Sequence, residues 1–300
     1  MVEMPVMMRR ESTCGPFHGA TTVQLELVLA NYDSLTKKQK GLCMKYLLPC
    51  FALVPTLAWS APFDGTWTVA QDSMKITGKP QTYLLVDGMF TCGPCTPPYD
   101  VKADGSDHKV AGHAYYDNVS VSVLDANTIE IKTRMGDKPW GERKLSVSAD
   151  GKVLTEEWVI HDAATPHTGK DSYTRVAPPP AGAASISGSW NENTAASSIP
   201  GDYLTVTYSE TADGLKMTTA TGQSFVAKFD GKQVVTEGDP GKTMVALKRI
   251  DAHTIEETDR RKGQITDVIV TKISADGKTM RISDRDPIHG TTTTYTATKQ

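Results

Sequence analysis

The segment LDANTIE at residues 124–130 recurs as IDAHTIE at residues 250–256, and this repeat decides how the chain folds. The same offset aligns residues 86–158 with residues 212–284 without a gap, and Asp-Gly and Gly-Lys pairs recur at matching places. A match of this length in a constant order indicates a duplication rather than chance. We therefore predict that two copies of one domain follow each other along the chain.

The two predicted domains are separated by a segment rich in proline and alanine, residues 178–185. Three consecutive prolines followed by small residues are typical of an exposed, semi-rigid linker, because such a segment cannot build a core of its own. We place the first domain at residues 62–177 and the second at residues 186–300.

Within each copy, apolar and polar residues alternate with a period of two, as in VSVSVL at 119–124 and VIVTKI at 268–273. This period and the abundance of β-branched residues predict strands, and the Asp-Gly pairs predict tight hairpin turns. Each copy has room for about eight to ten short antiparallel strands. We predict an all-β fold in which each copy forms an up-and-down barrel or closed meander, with a β-sandwich as the alternative.

The N-terminal region has the plan of an export signal. Residues 44–60 begin with Lys45, continue as a mostly apolar run and end in small residues, as signal peptides do. The run is too short to span a membrane, and Pro49 and Pro55 interrupt it. We predict a signal peptide at 44–60, a misannotated N-terminal extension at 1–43, a location in the periplasm or outside the cell, and no membrane-spanning segment.

Composition excludes several classes of function. The chain has 32 Lys and Arg residues against 35 Asp and Glu residues, a net charge of −3, and it lacks a basic stripe. A mildly acidic chain of this kind is a poor nucleic-acid binder, so we expect no nucleic-acid partner. We find no phosphate-binding loop, no nucleophile elbow and no metal-ligand spacing in the sequence. We therefore expect no catalytic residue, no metal and no cofactor, and we interpret the chain as a protein that is not an enzyme.

Cys92 and Cys95 are the cysteines that remain after removal of the signal peptide, and we predict that they form a disulfide. The sequence Cys-Gly-Pro-Cys is also the motif of thioredoxin-like oxidoreductases, in which the first cysteine lies at a helix N-terminus. Here Pro97 and Pro98 follow directly and disfavour a helix at this point. A structural disulfide is therefore the favoured interpretation, and a thiol-disulfide enzyme is an alternative.

Three short motifs resemble those of the lipocalin and fatty-acid-binding-protein group, the calycins. Gly-x-Trp occurs on the first predicted strand of each copy, at residues 65–67 and 188–190, and Tyr-x-Arg occurs on the last predicted strand of copy one, at residues 173–175. The resemblance implies an up-and-down barrel in each copy.

The same resemblance implies that a tryptophan packs across the barrel floor beneath a basic side chain from the last strand. Trp67 would then lie near Arg175, and Trp190 would take the same place in copy two. Copy two departs from the pattern, because our alignment places Ala297 where copy one has Arg175.

We interpret the chain as an exported, non-catalytic protein that binds a small apolar ligand in a β-barrel. Copy one, with its cysteine loop and tyrosine-rich segment, is the expected binding domain. Two alternatives remain: a structural or protein-interaction module of the cell envelope with filled barrels, or a thiol-disulfide enzyme. The candidate ligand-binding residues are Trp67, Tyr83, Tyr99, Tyr115 and Tyr116.

Overall fold

A computed structural model describes residues 61–300, so the predicted extension at 1–43 and the predicted signal peptide at 44–60 lie outside the described residues. The described chain is all-β, as predicted, with three short 3-10 helices at Gln71–Ser73, Thr194–Ala196 and Gly201–Leu204. The strands of the first half are β1 (Gly65–Val69), β2 (Lys75–Gly78), β3 (Gln81–Val86), β4 (Met89–Cys92), β5 (Tyr99–Lys102), β6 (His108–Lys109), β7 (Asn118–Asp125), β8 (Thr128–Met135), β9 (Lys138–Val147), β10 (Val153–Ile160) and β11 (His167–Ala177). Those of the second half are β12 (Gly188–Glu192), β13 (Thr205–Glu210), β14 (Gly214–Thr219), β15 (Ser224–Lys228), β16 (Val234–Val235), β17 (Met244–Asp251), β18 (Thr254–Arg261), β19 (Gln264–Ile273), β20 (Thr279–Asp286) and β21 (Thr291–Lys299).

The strands form two nearly closed antiparallel sheets. The sheet that we call the first barrel has the order β5-β4-β3-β12-β11-β10-β9-β8-β7-β6. The sheet that we call the second barrel has the order β15-β14-β13-β1-β21-β20-β19-β18-β17-β16, and β2 pairs with β21 beside it. Consecutive strands are neighbours almost throughout, which is the meander that the Asp-Gly turns predict.

The two copies exchange their first strands. β1 belongs to copy one in sequence but lies between β13 and β21, where Trp67 is paired with Val206 and Lys299. β12 belongs to copy two but lies between β3 and β11, where Trp190 is paired with Gln81 and Arg175. The boundaries that we placed at the linker therefore describe the repeat in the sequence but not the composition of the barrels.

The residue before each exchanged strand is bonded to its new neighbours. The Ser187 hydroxyl oxygen accepts a hydrogen bond from the Leu85 N–H at 2.8 Å and donates to the Leu85 carbonyl oxygen at 3.3 Å. Asp64, which has the same place before β1, accepts a hydrogen bond from the Glu210 N–H. The polar side chain before each exchanged strand therefore forms a hydrogen bond with the barrel in which that strand lies.

A basic side chain covers the tryptophan of each barrel, but not in the expected combination. The Arg175 guanidinium carbon lies 3.9 Å from the ring centroid of Trp190, and the Lys299 ammonium nitrogen lies 5.3 Å from that of Trp67. The expected contact between Trp67 and Arg175 is therefore wrong, because the strands are exchanged. The alignment of Ala297 with Arg175 is also wrong: the loop before β21 is shorter than the loop before β11, so strand pairing places Lys299 at the Arg175 position.

Each barrel buries its own apolar cluster. Trp190, Tyr173 and Phe90 are among the largest buried side chains of the first barrel, and Trp67 and Phe63 are among those of the second. Within residues 61–300, none of the helices has the length and apolar character needed to cross a bilayer.

Candidate ligand-binding cavity

The interior of the second barrel contains a cavity of about 160 Å³. Its walls are mostly apolar and come from β1, β2, β13, β14, β18, β19, β20 and β21. Residues of the first barrel close one side of the cavity, among them Tyr173 on β11 and Glu192 at the end of β12. A cavity of this size is comparable to an engineered apolar cavity of about 150 Å³ that binds benzene.

A change of residue size between the two copies accounts for the space. Leu154 pairs with Tyr173 in the first barrel, and the equivalent Met280 pairs with Ala297 in the second. Ala297 therefore occupies the position of a buried tyrosine and leaves the volume of its ring unfilled. Since the backbone pattern of the two sheets is the same, this difference in volume appears as a cavity rather than as a collapsed sheet.

The first barrel is filled at the equivalent positions by a buried ion pair. The Arg143 guanidinium contacts the Glu156 carboxylate, and it also donates a hydrogen bond to the Tyr83 hydroxyl at 3.2 Å. The Tyr173 hydroxyl lies 3.5 Å from Glu156 Oε2. Burial opposes ionisation of Glu156, but the adjacent guanidinium outweighs it and lowers the pKa of this carboxyl. The first barrel therefore supplies the counter-charge for its own buried carboxylate.

The second barrel has isoleucines in place of this pair, Ile269 and Ile282, and its carboxyl groups lie elsewhere. Glu257, Asp259 and Asp284 line one side of the cavity, and we call them the carboxyl cluster. In the first barrel, the offset of the repeat places Ile131, Thr133 and Trp158 at these three inward positions.

The carboxyl cluster binds protons strongly. Burial, followed by the charge of Asp267, raises the pKa of Asp284 to about 8. Burial also raises the pKa of Glu257 to about 7, and burial together with neighbouring carboxylates raises the pKa of Asp259 well above its usual range. Oδ1 of Asp259 and Oδ1 of Asp284 are buried without a hydrogen-bond partner among the described residues. These atoms are acceptors without a donor.

Two more carboxyl groups border the cavity from the first barrel. Burial, followed by the charge of Glu156, raises the pKa of Asp171 to about 8, although its Oδ2 accepts a hydrogen bond from the Trp158 indole N–H at 3.1 Å. Burial raises the pKa of Glu192 to about 7. In residues 61–300, no three side chains of His, Cys, Asp or Glu are grouped so that they could hold a metal ion.

The tyrosines predicted as ligand contacts lie outside this cavity. Tyr83 and Tyr99 are buried in the first barrel, and Tyr116 stacks on His113 with ring centroids 4.4 Å apart. Tyr115 stacks on a tryptophan ring at 5.1 Å and donates a hydrogen bond to an aspartate carboxylate at 3.0 Å. The structure therefore distributes them among packing contacts and does not bring them together around the cavity.

Trp67, the fifth predicted ligand contact, is fully buried in the second barrel, where its indole N–H donates to the Phe63 carbonyl oxygen at 2.9 Å. It does not line the cavity either. Sequence reasoning also missed the carboxyl cluster. The alternation of residues along β18 could have indicated it, because residues 257 and 259 share the inward face of this strand with the buried Ile255.

Cys92 and Cys95 are bonded to each other, as predicted, with 5.5 Å between their Cα atoms. The bond closes the loop between β4 and β5, and both cysteines are buried. No helix begins in this loop, so the feature that activates the first cysteine of a thioredoxin-like motif does not occur at this position.

A search of protein-family models, of curated proteins and of solved structures found no match to this chain. The resemblance to calycins therefore remains an expectation based on a few residues.

The raised pKa values predict that the free protein loses stability as the pH rises. A carboxyl with a pKa of about 4 in the unfolded chain and about 8 at Asp284 in the fold favours the folded state below about pH 4, and this contribution disappears as the pH rises through about 8. Asp284→Asn should therefore match the wild type in unfolding free energy at about pH 3 and exceed it by up to several kcal/mol at about pH 9, since one pKa unit corresponds to about 1.4 kcal/mol.

Urea unfolding of residues 61–300 at both pH values measures this difference. Asp137→Asn is the matched control, because Asp137 is exposed in a turn and lies outside the cavity. A variant Asp284→Asn whose pH dependence equals that of the wild type would contradict the burial of an ionisable group at this site.

Proposed function

We propose that this protein is an exported, non-catalytic binding protein that holds one small, largely apolar molecule in the cavity of the second barrel. The observation that supports the proposal is the cavity of about 160 Å³ with mostly apolar walls. Apolar ligands bind in such cavities because they regain the dispersion contacts that the unfilled space lacks. Export rests on the predicted signal peptide at residues 44–60.

The position of the cavity favours the second barrel, rather than copy one, as the binding domain. The first barrel is filled by Arg143, Glu156 and Tyr173, which is the arrangement expected of a structural module. The second barrel, with Ala297 in place of Tyr173, has room for a ligand. The alternative of an envelope interaction module with filled barrels therefore agrees with the first barrel alone.

Substitution of Ala297 tests the proposal directly. Phenylalanine at this position restores a ring where the first barrel has Tyr173, so Ala297→Phe should fill the cavity and weaken the binding of toluene at least about tenfold, the effect of losing about 1.4 kcal/mol of contact. Isothermal titration calorimetry of toluene with residues 61–300 measures the affinity.

Thr298→Phe is the matched control, since Thr298 is exposed on the same strand and its side chain points away from the interior. It should bind toluene as the wild type does. If Ala297→Phe binds toluene as tightly as the wild type does, toluene does not occupy this cavity and the envelope-module alternative gains support.

A further inference from the structure

The charged side chains that line the cavity are all acidic. In the part of the chain that the structure describes, the residues lining the cavity include five acidic side chains and no Lys, Arg or His. Two of the five, Asp259 and Asp284, are only 5% and 8% exposed. Both residues line this space, and each has one buried carboxylate oxygen without a hydrogen-bond partner among the described residues.

An unpartnered buried carboxylate is costly, and a protein can remove the cost in two ways. Either the carboxyl takes up a proton, or a cation with N–H donors pairs with it. In the first barrel a cation removes this cost, because Arg143 pairs with Glu156. The second barrel has Ile269 and Ile282 at the equivalent positions, so the chain itself supplies no such cation to the cavity.

We infer that the molecule held in the second barrel carries an ammonium group, which donates hydrogen bonds to Asp259 and Asp284 while its apolar body packs along Ile269, Ile282 and Ala297. This inference rests on the proposed function and names the class of its ligand, a small apolar primary amine. The ammonium group supplies the counter-charge that the Arg143 guanidinium supplies in the first barrel. When it binds, a protonated carboxyl of the cluster releases its proton to solvent.

The arrangement suits an organic ammonium better than a bare metal ion. No three acidic side chains in residues 61–300 converge as a metal site requires, whereas an ammonium group with three N–H donors is satisfied by one or two carboxylates at hydrogen-bond distance. The apolar side of the cavity includes Met217 and Met280. A hydrocarbon body would pack against these side chains, whereas a hydrated ion would not.

Benzylamine and benzyl alcohol test the inference, because they have nearly the same shape and differ in charge. At about pH 8, residues 61–300 should bind benzylamine at least about tenfold more tightly than benzyl alcohol, the difference expected of one charge-assisted hydrogen bond. Asp284→Asn and Asp259→Asn should each remove most of this preference and leave the affinity for benzyl alcohol within about threefold of the wild type. Asp137→Asn, on the surface, should change neither affinity.

Each outcome separates the inference from the proposed function. If toluene and benzyl alcohol bind and benzylamine binds no more tightly, the cavity is a ligand site but the ammonium inference is overturned. If none of the three compounds binds, the proposed function fails. A preference for benzylamine that survives in both Asn variants would place the cation at other residues and would also overturn the inference. Urea unfolding of each variant checks that it is folded.

Discussion

A fragment of residues 79–194 is expected to fold by itself and to be several kcal/mol more stable than a fragment of residues 61–178. The two fragments have nearly the same length. The first contains all ten strands of the first barrel, including β12, whereas the second ends at the linker and lacks β12. Without β12, both β3 and β11 have an unpaired edge, and the space of Trp190 is empty.

The strand β1, which the fragment 61–178 retains, is a poor replacement for β12. Asp64 would take the place of Ser187, and a carboxylate cannot donate to the Leu85 carbonyl oxygen as the hydroxyl does. Phe63 would take the place of the buried Ile186. Overpacking of this kind costs about 1–3 kcal/mol, in addition to the cost of a buried unpaired charge.

Circular dichroism and urea unfolding of the two fragments measure the difference. A further variant isolates the cause: Ser187→Asp within the fragment 79–194 should lower its stability, because it introduces the mismatch of β1 into β12. If the fragment 61–178 proves as stable as 79–194, the two first strands are interchangeable and the exchange has no basis in their sequences.

Arg143→Met is expected to destabilise the protein by about 3–5 kcal/mol, because it leaves the Glu156 carboxylate buried without its counter-charge. The double variant Arg143→Ile, Glu156→Ile should regain most of this loss. It introduces the residues that the second barrel has at Ile269 and Ile282, and hydrophobic replacement of a whole buried ion pair is often neutral.

The partly exposed pair of Lys132 and Glu130 is the control, with its charged atoms 3.1 Å apart. Lys132→Met should cost less than about 1 kcal/mol, as is usual for surface ion pairs. Urea unfolding gives all of these values. A loss below about 1 kcal/mol for Arg143→Met, or a double variant as unstable as the single one, would show that Glu156 is neutral in the folded protein.

The fold class was predictable from the sequence because the alternation of apolar residues and the Asp-Gly turns specify antiparallel hairpins locally. The exchange of first strands was not, because Gly-x-Trp occurs in both copies and its alternation suits either barrel. The two first strands differ in the polar residue just before them, Asp64 or Ser187. The hydrogen-bond partners of these two residues are more than 100 residues away in sequence.

The site was less predictable than the fold. Aromatic residues drew the prediction to copy one, but Tyr83 and Tyr99 turned out to be packed in the core of the first barrel. The cavity depends on Ala297 facing inward, and this follows only from the strand register, since the loop before β21 shifts the alignment of the last strand. A small residue such as Ala297 belongs to no recognisable motif, so the sequence alone does not indicate the cavity.

The exchange of first strands also fixes the order in which the barrels can be completed as the chain emerges from its N-terminus. The first barrel is an uninterrupted insertion within the second, so all of its strands are present once Glu192 has emerged. β1 emerges earliest of the described strands, yet its neighbours β13 and β21 both follow the whole first barrel, and β21 is the last described strand. β1 therefore has no neighbour in its own sheet until β13 has emerged, and the second barrel with its cavity is completed only with β21.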